Sequence, residues 1–485
     1  MTGKVWLVGA GPGDAGLITV KGKAVLEAAD VVVHDRLVGD GIRAFIPTWA
    51  RCIDVGKEAG HHPVPQEKIQ QLLIQEARRG QRVVRLKGGD PFLFGRGAEE
   101  LEALKAAGIP CEVVPGVTSA VAAATYAGIP VTHRDYASSV HIITAHAKAG
   151  GEININFKAL AQLEGTLVFL MGLTALPRLC QGLIAAGMFP DTPAAVIERG
   201  TTARQRRVDG TLATLAEKAQ KQQVAPPALI VVGQVVQPKQ EWNWLEALPL
   251  FGQRVLVTRA EDKAEELAAM LRALGAEVLV FPCIATQLLE PVLPPLSCYN
   301  WAVFTSPTGV DCFFALLKKQ RVDIRTLALA KVAAVGASTG AALERRGLRV
   351  DVVPEVYDGV HLAEAMLAQM NQGDSVLIPR AEKGALGLVD RLRAKGMIVD
   401  ELPVYRTVYT QGNWQPTDID LALFTSASTV HGFARACLGA KVRAICIGKQ
   451  TAAAAKSLGW KVKVAQEATL AALVKATEEE ANHDN

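Results

Sequence analysis

The feature that most narrows what this chain can fold into is an internal repeat in its second half. The run VLVTRAEDKAEELAAMLRALGAEVLVFP from Val255 is echoed by VLIPRAEKGALGLVDRLRAKGMIVDELP from Val376. FTSPTGV at Phe304 is echoed by FTSASTV at Phe424, and VAAVGASTGAALERRGLRV from Val332 by RAICIGKQTAAAAKSLGWKV from Arg443. A unit used twice must bury its apolar face twice, so two similar subdomains are predicted. Thr/Ser-rich and Gly-rich turns follow corresponding strands in both. Open parallel sheets bind ligands beyond the carboxyl ends of their strands, so these turns either face a ligand or only cap helices.

Apolar residues recur at helical spacing at Ile69, Leu72, Leu73 and Ala77, and again at Leu267, Met270, Leu271 and Leu274. Val5 to Val8, Val83 to Leu86, Val255 to Val257 and Val376 to Ile378 read as buried strands. The alternation predicts an α/β protein with largely parallel sheets. Between Gln237 and Gly252 the pattern fails, in Gln-Pro-Lys-Gln-Glu-Trp-Asn-Trp and then Leu-Pro-Leu-Phe-Gly, which marks a domain boundary. The expectation is a first domain over 1–240, a linker over 241–252 and a second domain over 253–475, the two halves working independently.

With 485 residues the chain exceeds what one core usually organises. Its 52 Lys and Arg nearly balance 48 Asp and Glu, which leaves no electrostatic footprint for nucleic acid or an anionic membrane. A strongly anionic small substrate needs only a local basic cluster. No apolar run reaches the roughly 18 residues of a membrane span, and the start lacks a signal-peptide pattern, so a cytoplasmic location is expected. The eight cysteines are scattered, with no pair or Cys/His group at zinc spacing, so neither disulfides nor a metal are expected.

The first strand ends in Gly9-Ala10-Gly11-Pro12-Gly13-Asp14-Ala15-Gly16, and Asp35 follows at the distance of a ribose-binding acid. That pattern admits an NAD-dependent oxidoreductase. Asp14, however, puts an anion where a pyrophosphate would sit. A second loop, LKGGDPFLFGRG from Leu86, lets the backbone approach a ligand closely and offers the Asp90 carboxylate to hydroxyl or amino groups, which suits a cationic, non-phosphorylated nucleoside.

The spans GAGPGDAGLITVKG, VVHDRLV, VGKEAGHH, LKGGDPFLFGRG, VVPGVTSAVAAATYAGIPVTHRDY, FLMGL and PALIVVGQVV, in this order, resemble uroporphyrinogen-III C-methyltransferases of the tetrapyrrole methylase family. The resemblance covers about residues 1–240. It implies two α/β subdomains with S-adenosylmethionine between them, a homodimer, and methylation of uroporphyrinogen III at C-2 and C-7 to precorrin-2. On matching positions, the resemblance implies a cofactor site of Pro12, Gly88, Gly89, Asp90, Leu93, Thr118, Ser119, Met171 and Gly200. Pro12 otherwise only shapes a turn, and Met171 otherwise belongs to the core. Asp35 and Lys57 match the family's proton acceptor and donor; the alternative is that Asp35 only pairs with a neighbour and orients the substrate. Arg36, Arg51 and Arg134 are candidates to meet the substrate's carboxylates.

The repeats VLVTRAE, FTSPTGV, VGAST, LPVYRTV, FTSAST and IGKQTA resemble uroporphyrinogen-III synthase. The implied fold has two flavodoxin-like α/β subdomains, the second inserted within the first: 253–284 with 407–475, and 285–404. The implied reaction is cofactor-free cyclisation of hydroxymethylbilane with inversion of ring D. Tyr405 matches the family's candidate proton donor, a phenol being protonated at neutral pH; a structural tyrosine is the alternative. Amides and hydroxyls at Thr305, Ser306, Gly336, Ser338, Thr425, Ser426, Gly448 and Thr451 are expected to hold carboxylates. The competing reading of this half is a non-catalytic ligand-binding module. Nothing in the sequence resembles the dehydrogenase and ferrochelatase module of sirohaem synthases, so the product is expected to leave as precorrin-2.

Overall fold

The valine-rich runs form strands because β-branched side chains fit a pleated surface buried on both faces. The computed structural model describes residues 2–56, 64–145, 155–237, 242–384, 387–410 and 416–482. Strands β1 (Lys4–Gly9), β2 (Val31–His34), β3 (Arg51–Asp54), β4 (Arg82–Lys87) and β5 (Cys111–Val114) make a parallel sheet in the order β3-β2-β4-β1-β5. The helix Gln66–Arg78 covers it, burying Ile69, Leu73 and Ala77 at the spacing seen in the sequence.

Strands β6 (Val140–Thr144), β7 (Thr166–Leu170), β8 (Pro193–Glu198), β9 (Arg206–Thr211) and β10 (Ala228–Val232) form a second sheet, ordered β6-β7-β10-β8-β9. Here the expectation of parallel strands fails: only β6 and β7 run parallel, while β10 is antiparallel to both neighbours and β8 to β9. The chain between β8 and β9 is too short for a crossover helix, which a parallel neighbour would require.

Strands β11 (Arg254–Val257) and β12 (Glu277–Val280) begin a third sheet, which the chain then leaves. It passes through β13 (Ile284–Leu288), β14 (Trp301–Phe304), β15 (Lys331–Ala334), β16 (Ser375–Ala381) and β17 (Ile398–Tyr409), which form a separate sheet ordered β13-β17-β16-β14-β15. It returns for β18 (Leu421–Phe424), β19 (Arg443–Cys446) and β20 (Lys461–Val464), completing the order β12-β11-β18-β19-β20. The two connections run side by side, Ile284 opposite Tyr409 and Leu288 opposite Tyr405, antiparallel. By density of contacts the chain divides into one unit of residues 1–283 and 411–485 and another of residues 284–410.

The repeat is thus crossed in space. The Val255 copy pairs with β18, and β18 with β19, while the Val376 copy shares its sheet with Trp301–Phe304 and Lys331–Ala334. Each sheet combines one segment of one repeat with two of the other. No described helix is long and apolar enough to cross a membrane.

Residues 242–252, the described remainder of the segment that breaks the sequence pattern, are packed rather than loose. Trp244 meets Tyr126 edge-on, with ring centroids 5.3 Å apart, and Gln205 donates to Glu246. Leu250 is buried, and its amide donates to Leu274 at 2.8 Å. Its aromatic and polar residues make individual contacts with both sides, which is why no apolar period is visible.

Candidate functional site

The first sheet presents its loops at the carboxyl ends of β1 and β4, where two glycine turns touch. Gly11 (φ 75°) and Gly89 (φ 67°) sit in left-handed conformations. They exchange backbone hydrogen bonds of 3.2 and 2.8 Å. A Cβ on Gly9 would lie 2.5 Å from the backbone of Gly116, so the crossing of these loops tolerates no side chain there.

Asp90 organises this crossing. One carboxylate oxygen accepts from the amides of Phe92 (2.8 Å) and Leu93 (3.1 Å), the other from Gly116 (3.0 Å). The carboxylate expected to meet a ligand directly is therefore committed first to its own loop. Asp14 is similarly engaged, accepting from the Gly16 amide at 2.8 Å and from the Tyr126 hydroxyl at 2.7 Å. The first α-helix begins only at Val20, capped by Thr19, so the glycine turn does not deliver a helix N-terminus as a dinucleotide fold does.

A cavity of about 970 Å³ opens beside these loops. Pro12, Arg36, Ser119, Met171 and Gly200 line it, drawn from five separate segments. Gly88 packs on Leu37, another lining residue; a Cβ on Gly88 would lie 3.2 Å from that of Leu37. Thr118 caps the helix that starts at Ser119, accepting from the Ala120 amide at 3.3 Å. Gly89, Asp90 and Leu93 stand in the adjoining loop, joined to the cavity wall through Gly11.

Met171 is 49% exposed and left-handed (φ 56°), so it is not a core residue. Arg199 (φ 47°) and Thr201 (φ 70°) flank Gly200 in the same unusual region. Strain of this kind gathers at functional sites because surrounding structure has to hold it. Gly200 is required by proximity: a Cβ would sit 2.4 Å from that of Ala123. Gly200→Ala should lower stability by about 1–3 kcal/mol, read from denaturant unfolding, since the loop must shift off the helix.

Asp35 follows β2 and pairs with Arg85 of β4, Nη2 to Oδ1 2.5 Å. Arg85 is buried and also contacts Glu100 through Nε at 3.2 Å, while Lys87 donates to the same Glu100 oxygen at 2.9 Å and Gln66 at 2.9 Å. Burial lowers the Lys87 ammonium from its usual range, opposed by Glu100. The other Glu100 oxygen is buried without a hydrogen bond. Asp35 is thus the 32%-exposed end of a buried charge chain whose members, two residues apart on one strand, the sequence reading missed.

Lys57 lies outside the described residues. Arg51 does not join the site: it opens β3, at the amino end of the sheet, and pairs with Glu76. Arg134 is exposed in the turn between His133 and Ala137, away from the cavity wall. The arginines that do line the cavity with Arg36 are Arg43, Arg199, Arg204 and Arg254, none marked by a motif. Among the described residues no group of three or more His, Cys, Asp or Glu could hold a metal ion.

In the unit of residues 284–410, Ser306 caps the helix Pro307–Gln320 by accepting from the Gly309 amide at 3.0 Å, and its Oγ lies 3.2 Å from the Tyr405 hydroxyl. Thr305 precedes it at the end of β14. Gly336 opens the helix Ala337–Glu344 with no side-chain cap on its first amides. In the other unit, Ser426 caps Ala427–Ala436 after Thr425 at the end of β18, and Gly448 opens Lys449–Ser457 without a side-chain cap. Thr451 is only 4% exposed, so it packs rather than offering a hydroxyl. Ser306 and Ser426 cap, Gly336 and Gly448 leave donors open, and the sequence could not tell these roles apart.

Residues 4–216 match the family described as Tetrapyrrole (Corrin/Porphyrin) Methylases, and residues 265–475 that described as Uroporphyrinogen-III synthase HemD. The porphyrin biosynthesis protein HemD of Ruminiclostridium josui is 44% identical over 488 residues, covering 97% of each chain. The uroporphyrinogen-III C-methyltransferase of Bacillus subtilis is 43% identical over 355 residues, 72% of this chain and 73% of its own. Among solved structures, the uroporphyrin-III C-methyl transferase of Thermus thermophilus, complexed with S-adenyl homocysteine, is 41% identical and covers 48% of this chain and 99% of its own, with a TM-score of 0.43. With both family matches in order and a relative aligned over nearly its whole length, this chain belongs to the tetrapyrrole methylases in its first half and to the uroporphyrinogen-III synthases in its second.

Proposed function

We propose that the second half cyclises hydroxymethylbilane to uroporphyrinogen III and that the first half methylates this product at C-2 and C-7, with S-adenosylmethionine as methyl donor, to give precorrin-2. The observation that carries the reading is the cavity walled by Pro12, Ser119, Met171 and Gly200, residues that the resemblance to the methyltransferases implies for the cofactor. Its volume suits a nucleoside-sized ligand. The test is to supply the full chain with hydroxymethylbilane and S-adenosylmethionine; accumulation of unmethylated or type I products alone would overturn it.

The cofactor supplies an electrophilic methyl group, and the macrocycle's electron-rich carbon attacks it, so alignment does most of the work. Pro12 and Ser119 bound the cavity from the first sheet's loops and the following helix, and the Met171 backbone holds its side chain out toward the ligand. Asp35, fixed through Oδ1 by Arg85, takes the proton that must leave the alkylated ring. Arg36 lines the cavity within reach of a carboxylated substrate. In the unit of residues 284–410, Tyr405 protonates the departing hydroxyl and the open amides after Gly336 bind carboxylates; in the other unit, the amides after Gly448 offer the same kind of donor. The exposed Trp49, Phe92 and Phe94 support a homodimer formed through the first half, which sedimentation would test.

Because Asp90 ties three amides, Asp90→Ala should loosen the loop as well as remove any ligand contact. Affinity for S-adenosylhomocysteine is expected to fall by about 1.5–3 kcal/mol, measured by calorimetry. Unchanged affinity would remove Asp90 from the site.

A further inference from the structure

The cavity is not built from the first half alone: Arg254, Glu277 and Asp418, all from the second half, line it too. They belong to one ion cluster. Arg254, the first residue of β11, donates through Nη2 to Asp40 at 2.7 Å and through Nε to Glu277 at 3.0 Å. Arg204 forks onto Asp418 with two bonds of 3.0 Å and reaches Asp420 at 3.0 Å. Glu277 also accepts from the Ala203 amide at 2.8 Å, and Arg204 donates to the Gly252 carbonyl at 3.0 Å.

The central pair is sheltered, its side chains 12% and 16% exposed, so water screens it less than an ordinary surface pair. Asp40 is the first residue of the short helix Asp40–Arg43, and its other oxygen faces Arg43 at 3.6 Å. Only four residues separate it from Asp35, and the loop between them supplies Arg36, Leu37, Val38 and Gly39 to the cavity. Arg204 holds the other wall in the same way, three residues after the left-handed Thr201. The second half thus grips both loops that flank the cavity.

We propose that the second half is a structural component of the methyltransferase site: Arg254, through Asp40, is a positioning residue for the loop that carries Asp35. This rests on the function proposed above and replaces the expectation that the two halves work independently. The cluster lies at the amino ends of β11, β12 and β18, whereas Ser426 and Gly448 follow the carboxyl ends of β18 and β19, so perturbing it should spare cyclisation.

The test uses the full-length chain with Asp40→Asn, Arg254→Gln and both together. Hydrogen exchange over residues 35–46 should quicken at least about fivefold in each single variant, since a local anchor is lost. Methyl transfer to directly supplied uroporphyrinogen III should fall about tenfold in kcat, with less change in KM for S-adenosylmethionine. The double variant should be no worse than the poorer single, because both remove one shared contact. Cyclisation of hydroxymethylbilane should stay within about twofold, and if Arg254→Gln loses it through misfolding, Asp40→Asn in the other half decides alone. Wild-type exchange and turnover in Asp40→Asn, or additive losses in the double, would overturn the proposal. A wild-type chain without methyl transfer would instead sink the proposed function, leaving the exchange result to judge the coupling.

Discussion

Replacing Asp35 with Asn should lower methyl transfer by about 10²–10⁴-fold, the range that a positioned acid or base contributes. The substitution keeps the shape and an acceptor for Arg85, which now bonds Oδ1 at 2.5 Å, but removes the charge that can take a proton. Affinity for S-adenosylhomocysteine should hold, because the cavity walls at Pro12, Ser119, Met171 and Gly200 are untouched. Stability should fall moderately, since the buried Arg85 loses one of its two carboxylate partners and keeps only Glu100. A tenfold or smaller loss of turnover would favour an orienting role, an amide still being able to contact the macrocycle. Uroporphyrinogen III must be supplied directly, so that cyclisation cannot limit the rate.

Tyr405→Phe should reduce formation of the type III isomer by about 10²-fold while leaving the fold intact. The ring partly packs against the core of its own sheet, and the backbone carbonyl still accepts from the Glu382 amide at 2.8 Å. What is lost is one hydroxyl and its 3.2 Å contact with Ser306. Ser306→Ala separates the two roles: it leaves the phenol, removes its partner, and costs about 1 kcal/mol as a lost helix cap. It should therefore lower stability more and turnover less than Tyr405→Phe. The bilane also closes spontaneously to the type I isomer, so the assay has to resolve the isomers. A wild-type rate of type III formation in Tyr405→Phe would make this a structural tyrosine.

Much of the candidate site is legible because backbone demands leave marks on sequence. Gly11 and Gly89 are glycines since the crossing loops need left-handed backbone there, and Gly200 because Ala123 leaves no room. Charge partners leave no such mark. Arg85 and Glu100 belong to no motif that sets them apart in the sequence, although both are buried and one holds Asp35. Arg51 shows the converse, a charged residue expected at the substrate whose partner, Glu76, lies away from the cavity.

The sequence by itself determined the alternation of strands and helices, the repeat, and the glycine turns, because periodicity and backbone conformation are local properties. It did not determine which repeat segments share a sheet. Val255 joins the Phe424 copy rather than Phe304, since strand pairing depends on where the chain leaves β12 and returns at β18. Nor did it determine the antiparallel turn of β8 into β9, which follows from a connection too short for a helix. The contact of Arg254 with Asp40 spans 214 residues, and only the tertiary structure decides such a pair, because either residue alone would sit equally well on any solvated surface.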